Sequence, residues 1–383
     1  MTKREAGSRL ATRIAFFVAG FGLACWAPLV PLAKARLAVG DGSLGLLLLC
    51  LGLGSVLAMQ FAGPFISKIG ARPIIIIGGI GQAILLPFLA LAPTIPMMVV
   101  ALLLFGGFLG LIDVSMNVHA VEVEKQSAKP LMSGFHGLFS VGGFVGSLLL
   151  TTILSAHVDP ITGTVVAAVL MIACMLVAAP RLIDTPQSDD TPLLVVPRGV
   201  VALIAILAAI TFLTEGAMLD WSALLLTGNG LLPTAQAGIG YSVFAVAMTV
   251  GRLTGDAIVA RLGDGRTVFW GGVLAIVGYV VLLTAPVAAL ALLGFLLIGF
   301  GASNTVPVLF RQAGTQKVMP VGLAIAAVTT VGYAGSLAGP AGVGFAAQAI
   351  GLPGAFWMLT IMLLLVPLCA ATVTRSAKTE ALA

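Results

Sequence analysis

Residues 73–92 read PIIIIGGIGQAILLPFLALA, a run of twenty residues without a charged side chain. Eleven other segments are also long and mostly apolar, and charged side chains make up only 9% of the 383 residues. A water-soluble protein of this length needs a charged outer surface, which this composition does not provide. About 20 mostly apolar residues are enough to cross a bilayer as a helix. The sequence therefore predicts a protein whose surroundings are mostly lipid.

The apolar segments are expected to be helices, because lipid cannot satisfy an open backbone and no β-barrel alternation is visible. The longest polar connection, 180–198, follows the sixth span and separates an N-terminal half, 1–179, from a C-terminal half, 199–383. The expected fold is an all-α membrane protein with twelve transmembrane helices in two pseudo-symmetric six-helix halves. The predicted spans are 12–33, 43–67, 73–92, 96–121, 131–156, 160–179, 199–226, 235–260, 267–285, 288–311, 321–350 and 353–374.

The distribution of basic residues predicts the orientation. If the N-terminus lies in the cytoplasm, all of the 19 basic residues except Lys34 and Arg36 fall on the cytoplasmic side. This agrees with the excess of Lys and Arg that cytoplasmic loops carry. Both termini and the 180–198 connection are therefore expected in the cytoplasm of a bacterium, with the chain in its inner membrane. Basic residues scattered in this way indicate topology and not a nucleic-acid partner.

An internal repeat divides the chain in the same way. GPFISKIG at 63–70 aligns with DAIVARLG at 256–263, an offset of 193 residues. The same offset aligns GGFVGS at 142–147 with GSLAGP at 335–340. Two matches at one offset indicate a duplicated six-helix unit. Such a duplication favours a substrate site near mid-membrane and transport by alternating access.

The loop after the second span carries a family signature, a glycine followed by D-[RK]-x-G-x-R. Its matching residues are Gly63, Lys68, Gly70 and Arg72, while Ser67 stands where the aspartate is usual. With this signature the chain resembles the major facilitator superfamily. The segments DVSMN at 113–117, PLMSGFHGLFSVGG at 130–143, EGAMLDWSALLL at 215–226, GRLTGD at 251–256 and GFGASNTVPVLF at 299–310 are similar to its compact bacterial branch related to fucose permease. The resemblance implies a transporter.

Acidic side chains inside spans are candidates for proton coupling. Each ionisable group there costs about 2.5–3.5 kcal/mol and usually faces a cavity. Asp113 and Glu215 are acids placed well inside their predicted spans, and neither has an adjacent cationic partner in sequence. Asn117 lies one helical turn after Asp113, and His136 is expected at a similar depth in the next span. These groups could bind a polar substrate, or they could be a structural hydrogen-bond cluster between two helices.

Further polar and aromatic residues in spans are candidates for substrate contact. Trp26 lies in the first span, which lines the cavity in the family that the chain resembles. Asp220 and Trp221 lie toward the outer end of the seventh span, where tryptophan is also common for interfacial reasons. Asn304 lies among glycines and a proline that make its helix easily irregular. For Trp26, ordinary packing is the competing interpretation.

Charged residues toward the cytoplasmic ends of spans are candidates for a gate. Arg252 and Asp256 are spaced i,i+4 and are predicted to form a salt bridge there. The competing interpretation of these charges is the general excess of basic residues on the cytoplasmic side. His119, near the end of its span, is expected to be an ordinary interfacial residue. The predicted gate residues are Lys68, Arg72, Arg252, Asp256 and Arg261.

The function predicted from these features is secondary active transport of a small, polar, sugar-like solute, with proton symport. An alternative is a proton-coupled exporter of small metabolites or drugs, and a different class is a transport-dead receptor or scaffold. The chain has no phosphate-binding P-loop and no paired Cys/His spacing for a metal. An enzyme is therefore not expected, no cofactor is expected beyond the proton gradient, and the protein is expected to be a monomer.

Overall fold

The computed structural model describes residues 3–39, 41–185, 196–233 and 239–374. The secondary-structure elements of the described residues are all α-helices or short 3-10 helices. Among the described residues, eleven helices are long and apolar enough to cross a membrane, and Val321–Leu337 is a shorter apolar helix. The predicted all-α membrane class is therefore confirmed.

The helices of the first half of the chain are α1 Lys3–Cys25, α2 Val30–Leu37, α3 Asp41–Ile69, α4 Ala71–Leu91, α5 Ile95–Lys125, α6 Met132–Ser155 and α7 Pro160–Ala178. Those of the second half are α8 Val200–Gly228, α9 Ile239–Leu262, α10 Asp264–Thr284, α11 Ala288–Ala302, α12 Thr305–Thr315, α13 Val321–Leu363 and α14 Leu365–Thr374. Short 3-10 turns, Ala27–Leu29 and Ala179–Arg181, follow α1 and α7.

Two breaks in the helices agree with the sequence-based expectations. The predicted tenth span is divided into α11 and α12 at Ser303 and Asn304, the place where an irregular helix was expected. In α13, Gly351 has φ 76° and ψ 160°, which no α-helix contains. This interruption lies between the predicted spans 321–350 and 353–374, so the backbone is consistent with twelve spans.

The chain forms two compact units. Unit 1 consists of Met1–Ala128, Phe135–Val196 and Gly322–Ala327. Unit 2 consists of Lys129–Gly134, Pro197–Val321 and Val328–Ala383. The short segments Lys129–Gly134 and Gly322–Ala327 are themselves separated by 193 residues at both ends. The packing therefore follows the sequence repeat, because these two short segments occupy equivalent positions in it.

The turns after α3 and α9 show the same repeat in the backbone. Gly70 has φ 82° and ψ 165°, and Gly263, 193 positions later, has φ 79° and ψ 164°. A side chain is strained at such positive φ values, whereas glycine adopts them readily. Each glycine lets the chain reverse at once into the next helix, α4 or α10.

Small residues bring helices close together within each unit. In unit 1, a methyl group at Gly142 of α6 would lie 2.2 Å from the carbonyl oxygen of Phe17 in α1. In unit 2, a methyl group at Gly335 of α13 would lie 2.6 Å from the carbonyl oxygen of Ala209 in α8. These repeat-related glycines allow the helix backbones to pack in contact. Such packing matters in lipid, where the hydrophobic effect does not drive helices to associate.

The beginning of the predicted 180–198 connection packs on unit 1. Leu182 and Ile183 are buried, and the Thr185 hydroxyl accepts a hydrogen bond from the backbone N–H of Ala71 at 2.8 Å. That bond satisfies one of the free donors at the start of α4. Residues 186–195 of the connection lie outside the described part of the chain.

Candidate functional site

An ion pair joins α8 and α9 of unit 2. Arg252 Nη2 lies 3.2 Å from Glu215 Oε1 and 3.3 Å from Oε2. The side chains are only 10% and 21% exposed, respectively. Both residues lie near the middle of their helices, where a lone charge is costly. The pair therefore places two opposite charges at the depth expected of a substrate or proton site.

This pair adds one contact to the sequence-based picture and corrects one expectation. Glu215 has no cationic neighbour in sequence, and its partner is Arg252, 37 residues later on α9. Arg252 was expected at the cytoplasmic end of its span, but it lies mid-way along Ile239–Leu262. Local spacing could not reveal the contact because it depends on how α8 and α9 are rotated about their axes.

Two more titratable groups belong to the surroundings of the pair. Tyr241, on α9, interacts electrostatically with Glu215, Arg252 and Asp220. Asp220, a predicted substrate residue, is exposed, while Trp221 is half-buried. The Trp221 ring lies against Gly344, where a methyl group would be 3.2 Å away.

Asp256 of α9 holds the first turn of α6. Its Oδ1 accepts from the backbone N–H of Ser133 at 3.0 Å, and its Oδ2 accepts from the N–H of Gly134 at 2.9 Å. Those donors have no partner within the helix because they lie at its N-terminus. A carboxylate is favoured there by the helix dipole. The predicted gate residue Asp256 thus binds backbone amides of unit 2.

Asn304 lies beside the same turn. Its Nδ2 donates to the Gly251 carbonyl at 3.1 Å and to Ser303 Oγ at 3.0 Å. A methyl group at Gly255 would be 1.7 Å from Asn304 Oδ1 and 2.6 Å from Ser133 Cβ, so the amide and Ser133 meet across this glycine. The structure brings Asn304 together with the surroundings of Asp256. Its predicted contact with substrate remains a prediction.

In unit 1, Asp113 and Asn117 form a buried pair on α5. Asn117 Nδ2 donates to the backbone carbonyl of Asp113 at 2.9 Å and to its Oδ1 at 3.2 Å. Asn117 Oδ1 is buried and has no hydrogen-bond partner among the described residues. The predicted shared face of Asp113 and Asn117 is present, with an acceptor that a ligand could use.

The other two candidates of unit 1 contact different elements. The His136 ring packs edge-on against Phe16 of α1, with 5.1 Å between centroids. Trp26 lies where α1 gives way to its 3-10 turn, and it is 6% exposed. Its indole Nε1 has no hydrogen-bond partner within the described ranges. Convergence of His136 with Asp113 remains a prediction.

The remaining predicted gate residues lie at helix ends. Lys68 and Arg261 are exposed in the last turns of α3 and α9. Arg72, at the start of α4, is 3.9 Å from Asp184; the Arg72 side chain is partly exposed and that of Asp184 is largely exposed. Arg72 also lines a cavity of about 330 Å³ in unit 1, together with Arg4, Gly7 and 180–184.

His119 is a buried anchor, which corrects its expected interfacial role. It is fully buried, and its Nε2 accepts from the backbone N–H of Ile183 at 3.0 Å. The proton of the neutral ring is therefore on Nδ1, which lies 3.1 Å from Thr12 Oγ1. Thr12 in turn donates to the Ser8 carbonyl. His119 thus fixes α1 and the residues after α7 onto α5.

Comparison with known proteins identifies the family. A profile of the Major Facilitator Superfamily matches residues 13–316. The chain belongs to the major facilitator superfamily. An "uncharacterized MFS-type transporter" of Yersinia pestis is 49% identical over 368 residues, which cover 96% of each chain. This protein is accordingly a multi-pass membrane transporter of a small molecule, and not an enzyme.

Solved transporters of this superfamily have the same fold. The E. coli fucose:proton symporter FucP superposes with a TM-score of 0.74 and 16% identity, over 96% of this chain and 98% of FucP. The proton:xylose symporter XylE gives a TM-score of 0.78 and 14% identity, over 99% and 98% of the two chains. At such low identity the likeness establishes the fold alone.

Proposed function

We propose that this transporter carries a small, polar, sugar-like solute by alternating access, in symport with protons. The protein would work in the bacterial inner membrane with both termini in the cytoplasm, as the basic residues predict. The observation that carries the proposal is the Glu215–Arg252 ion pair near the middle of α8 and α9. FucP and XylE, which share the fold, are proton symporters of sugars.

The pair supports proton coupling because a carboxylate in a membrane span can be neutralised by one proton. Protonation of Glu215 removes its attraction to Arg252 and thus changes a contact between α8 and α9. Asp113 offers a second carboxylate, hydrogen-bonded to Asn117. Proton binding at either group would alter polar contacts inside a unit, and it couples to transport when the two conformations bind the proton with different affinity.

Proteoliposomes with an imposed pH gradient test the proposal. Sugars, sugar acids and related polyols are added in turn, and proton entry is followed with an internal pH-sensitive dye. Wild-type protein should show solute-dependent proton entry and should concentrate the solute. Glu215→Gln and Asp113→Asn should each lose the accumulation that one coupled proton can drive, which is about tenfold per unit of the pH gradient.

Glu122→Gln is the matched control, since Glu122 pairs with Lys125 at the end of α5 and should not affect accumulation. If both Glu215→Gln and Asp113→Asn still concentrate solute, proton symport through these carboxylates is wrong. Solute-dependent proton movement in the opposite direction to the solute would instead support the exporter.

A further inference from the structure

We propose that Arg252 binds the carboxylate of the transported solute, which makes the substrate a hydroxylated monocarboxylate such as a sugar acid. In this view the solute replaces Glu215 on the guanidinium when Glu215 is protonated. The inference rests on the proposed function and narrows its substrate class. It assigns Arg252 to the binding site and not to a cytoplasmic gate.

The contact between Arg252 and Glu215 is loose. Both carboxylate oxygens lie at 3.2–3.3 Å from the same nitrogen, Nη2. Charge-assisted hydrogen bonds between guanidinium and carboxylate are usually about 2.7–2.9 Å, and the strong ones are bidentate. A planar guanidinium fork that is bonded in this way can form a better contact with a carboxylate that approaches in its plane.

A second ion pair in unit 2 has a different arrangement of donors. Asp264 Oδ1 lies 2.5 Å from Arg311 Nη1, and its Oδ2 lies 2.5 Å from Gln312 Nε2. Each oxygen of Asp264 therefore has its own donor. Asp264 begins α10, and the arrangement fastens this helix to α12. By comparison, both oxygens of Glu215 share one nitrogen of Arg252, so that a solute carboxylate could replace Glu215 there.

The chemistry of the two partners decides the sign of the ligand. Arginine cannot lose its proton in a protein, whereas a carboxylate can gain one. A cationic solute that took Glu215 would remove the carboxylate that pairs with Arg252, and breaking a buried ion pair from the cationic side is strongly destabilising. An anionic solute that takes Arg252 leaves only a neutral carboxylic acid. The pair therefore favours an anion over a cation.

The charges balance in each state. The empty site holds one guanidinium and one carboxylate, so its net charge is zero. In the loaded site one proton has moved from water to Glu215, and the solute carboxylate has replaced Glu215 as the partner of Arg252. The net charge is again zero, so one proton and one monocarboxylate move together without net charge transfer.

The described helices of unit 2 carry the following titratable and charged groups besides the pair. On α8 and α9 these are Asp220, Tyr241, Asp256 and Arg261, and Asp256 binds the first turn of α6. The packed helix α11 contributes no charged or titratable residue. The groups on α10, α12, α13 and α14 are Asp264, Arg266, Tyr279, Arg311, Tyr333 and Cys369. Asp264 pairs with Arg311, and Asp256 binds backbone amides. Glu215 is the carboxylate that contacts Arg252, so the pH dependence is assigned to Glu215.

Binding to the purified full-length protein in nanodiscs tests the inference. The probes are hydroxylated monocarboxylates of three to six carbons, including gluconate, each measured beside the polyol and the amino-polyol of the same skeleton. The thermal unfolding midpoint is recorded at pH 6 and at pH 8. At least one carboxylate should raise the midpoint, and its apparent Kd should weaken by up to about tenfold per pH unit. The matched polyol and amino-polyol should have no such effect.

Variants separate Arg252 from the fold. Glu215→Gln, which mimics the protonated acid, should bind the same carboxylate at pH 8 as tightly as wild type does at pH 6. The double variant Glu215→Gln with Arg252→Gln leaves no unpaired charge, so it should fold but bind that carboxylate at least about tenfold more weakly. Glu122→Gln should keep the wild-type affinity and pH dependence.

Three outcomes would overturn the inference. Carboxylate binding that survives in the double variant would show that Arg252 is not the anchor. Stabilisation by polyols or amino-polyols and not by carboxylates would disprove the substrate class while leaving symport of a polar solute intact. If no probe binds and none drives proton entry into proteoliposomes, the proposed function fails together with the inference.

Discussion

Two junctions related by the repeat hold the first turn of a helix by different means. In unit 2, the Asp256 carboxylate accepts hydrogen bonds from Ser133 and Gly134 at the start of α6. In unit 1, 193 positions earlier, Gly63 lies against the start of α13, where a methyl group would be 2.8 Å from Ala326 Cβ. One junction is held by charge and the other by close packing.

The difference shows what the duplication has kept and what it has not. Asp256 and Gly63 occupy equivalent positions, and they contact the equivalent residues Ser133 and Ala326. The backbone arrangement is therefore shared, whereas the chemistry is not. Charge-assisted bonds are directional and depend on a full charge, while a packed contact depends only on fit. Unit 2 should therefore respond to loss of a charge, and unit 1 to a change in volume.

The largest effect is expected from Asp256→Ala. The substitution removes two hydrogen bonds to a carboxylate and leaves two helix N-terminal amides without it. Because bonds to charged groups contribute about 1.5–3 kcal/mol each and do not add fully, we expect a loss of about 3 kcal/mol. The thermal unfolding midpoint of the purified protein should fall by several degrees.

Asp184→Ala serves as the control for this prediction. Its side chain is 84% exposed and only 3.9 Å from Arg72, so its loss should be nearly silent. Asp256→Asn keeps one acceptor oxygen and should be intermediate. Equal midpoints for wild type and Asp256→Ala would show that charge does not hold the junction of unit 2.

A smaller effect, about 1–3 kcal/mol, is expected from Gly63→Ala in unit 1. The added methyl group would lie too close to Ala326 and must push it away, which is the usual cost of overpacking. Gly107→Ala is the matched control, because the nearest atoms there are 3.9 Å away. Unfolding midpoints of the two variants should differ, and a neutral Gly63→Ala would remove the packed half of the comparison.

Much of the fold could be predicted from the sequence because lipid imposes simple rules. A span must be long, apolar and helical, so hydropathy alone located the helices. The repeat was visible because Gly70 and Gly263 need the same positive φ, which few other residues tolerate. The break at Asn304 followed from its glycine and proline neighbours. Each of these signals is local in sequence.

The partners inside the site could not be predicted in the same way. A helix such as α8 is apolar all round, so its sequence does not say which face is turned toward its neighbours. The contact of Glu215 with Arg252, and that of His119 with Ile183, depend on this rotation. Asn304 was recognised as polar, but its proximity to Ser133 required three packed elements to be placed.

The smallest effect is expected from Ser67→Asp, which tests whether unit 1 can be held by charge as unit 2 is. Ser67 is 5% exposed, and its Oγ is 3.4 Å from the Cβ position of Gly322 in the first turn of α13. A carboxylate there would face free amides at a helix N-terminus, an arrangement that contributes about 0.3–1 kcal/mol. The unfolding midpoint should therefore rise slightly in Ser67→Asp, while Ser67→Asn, without the charge, should gain less. A midpoint that falls in Ser67→Asp and not in Ser67→Asn would mean that burial of the new charge outweighs the helix dipole. In that case a carboxylate could not stabilise the junction of unit 1 as Asp256 stabilises that of unit 2. The two junctions would then differ in more than one side chain.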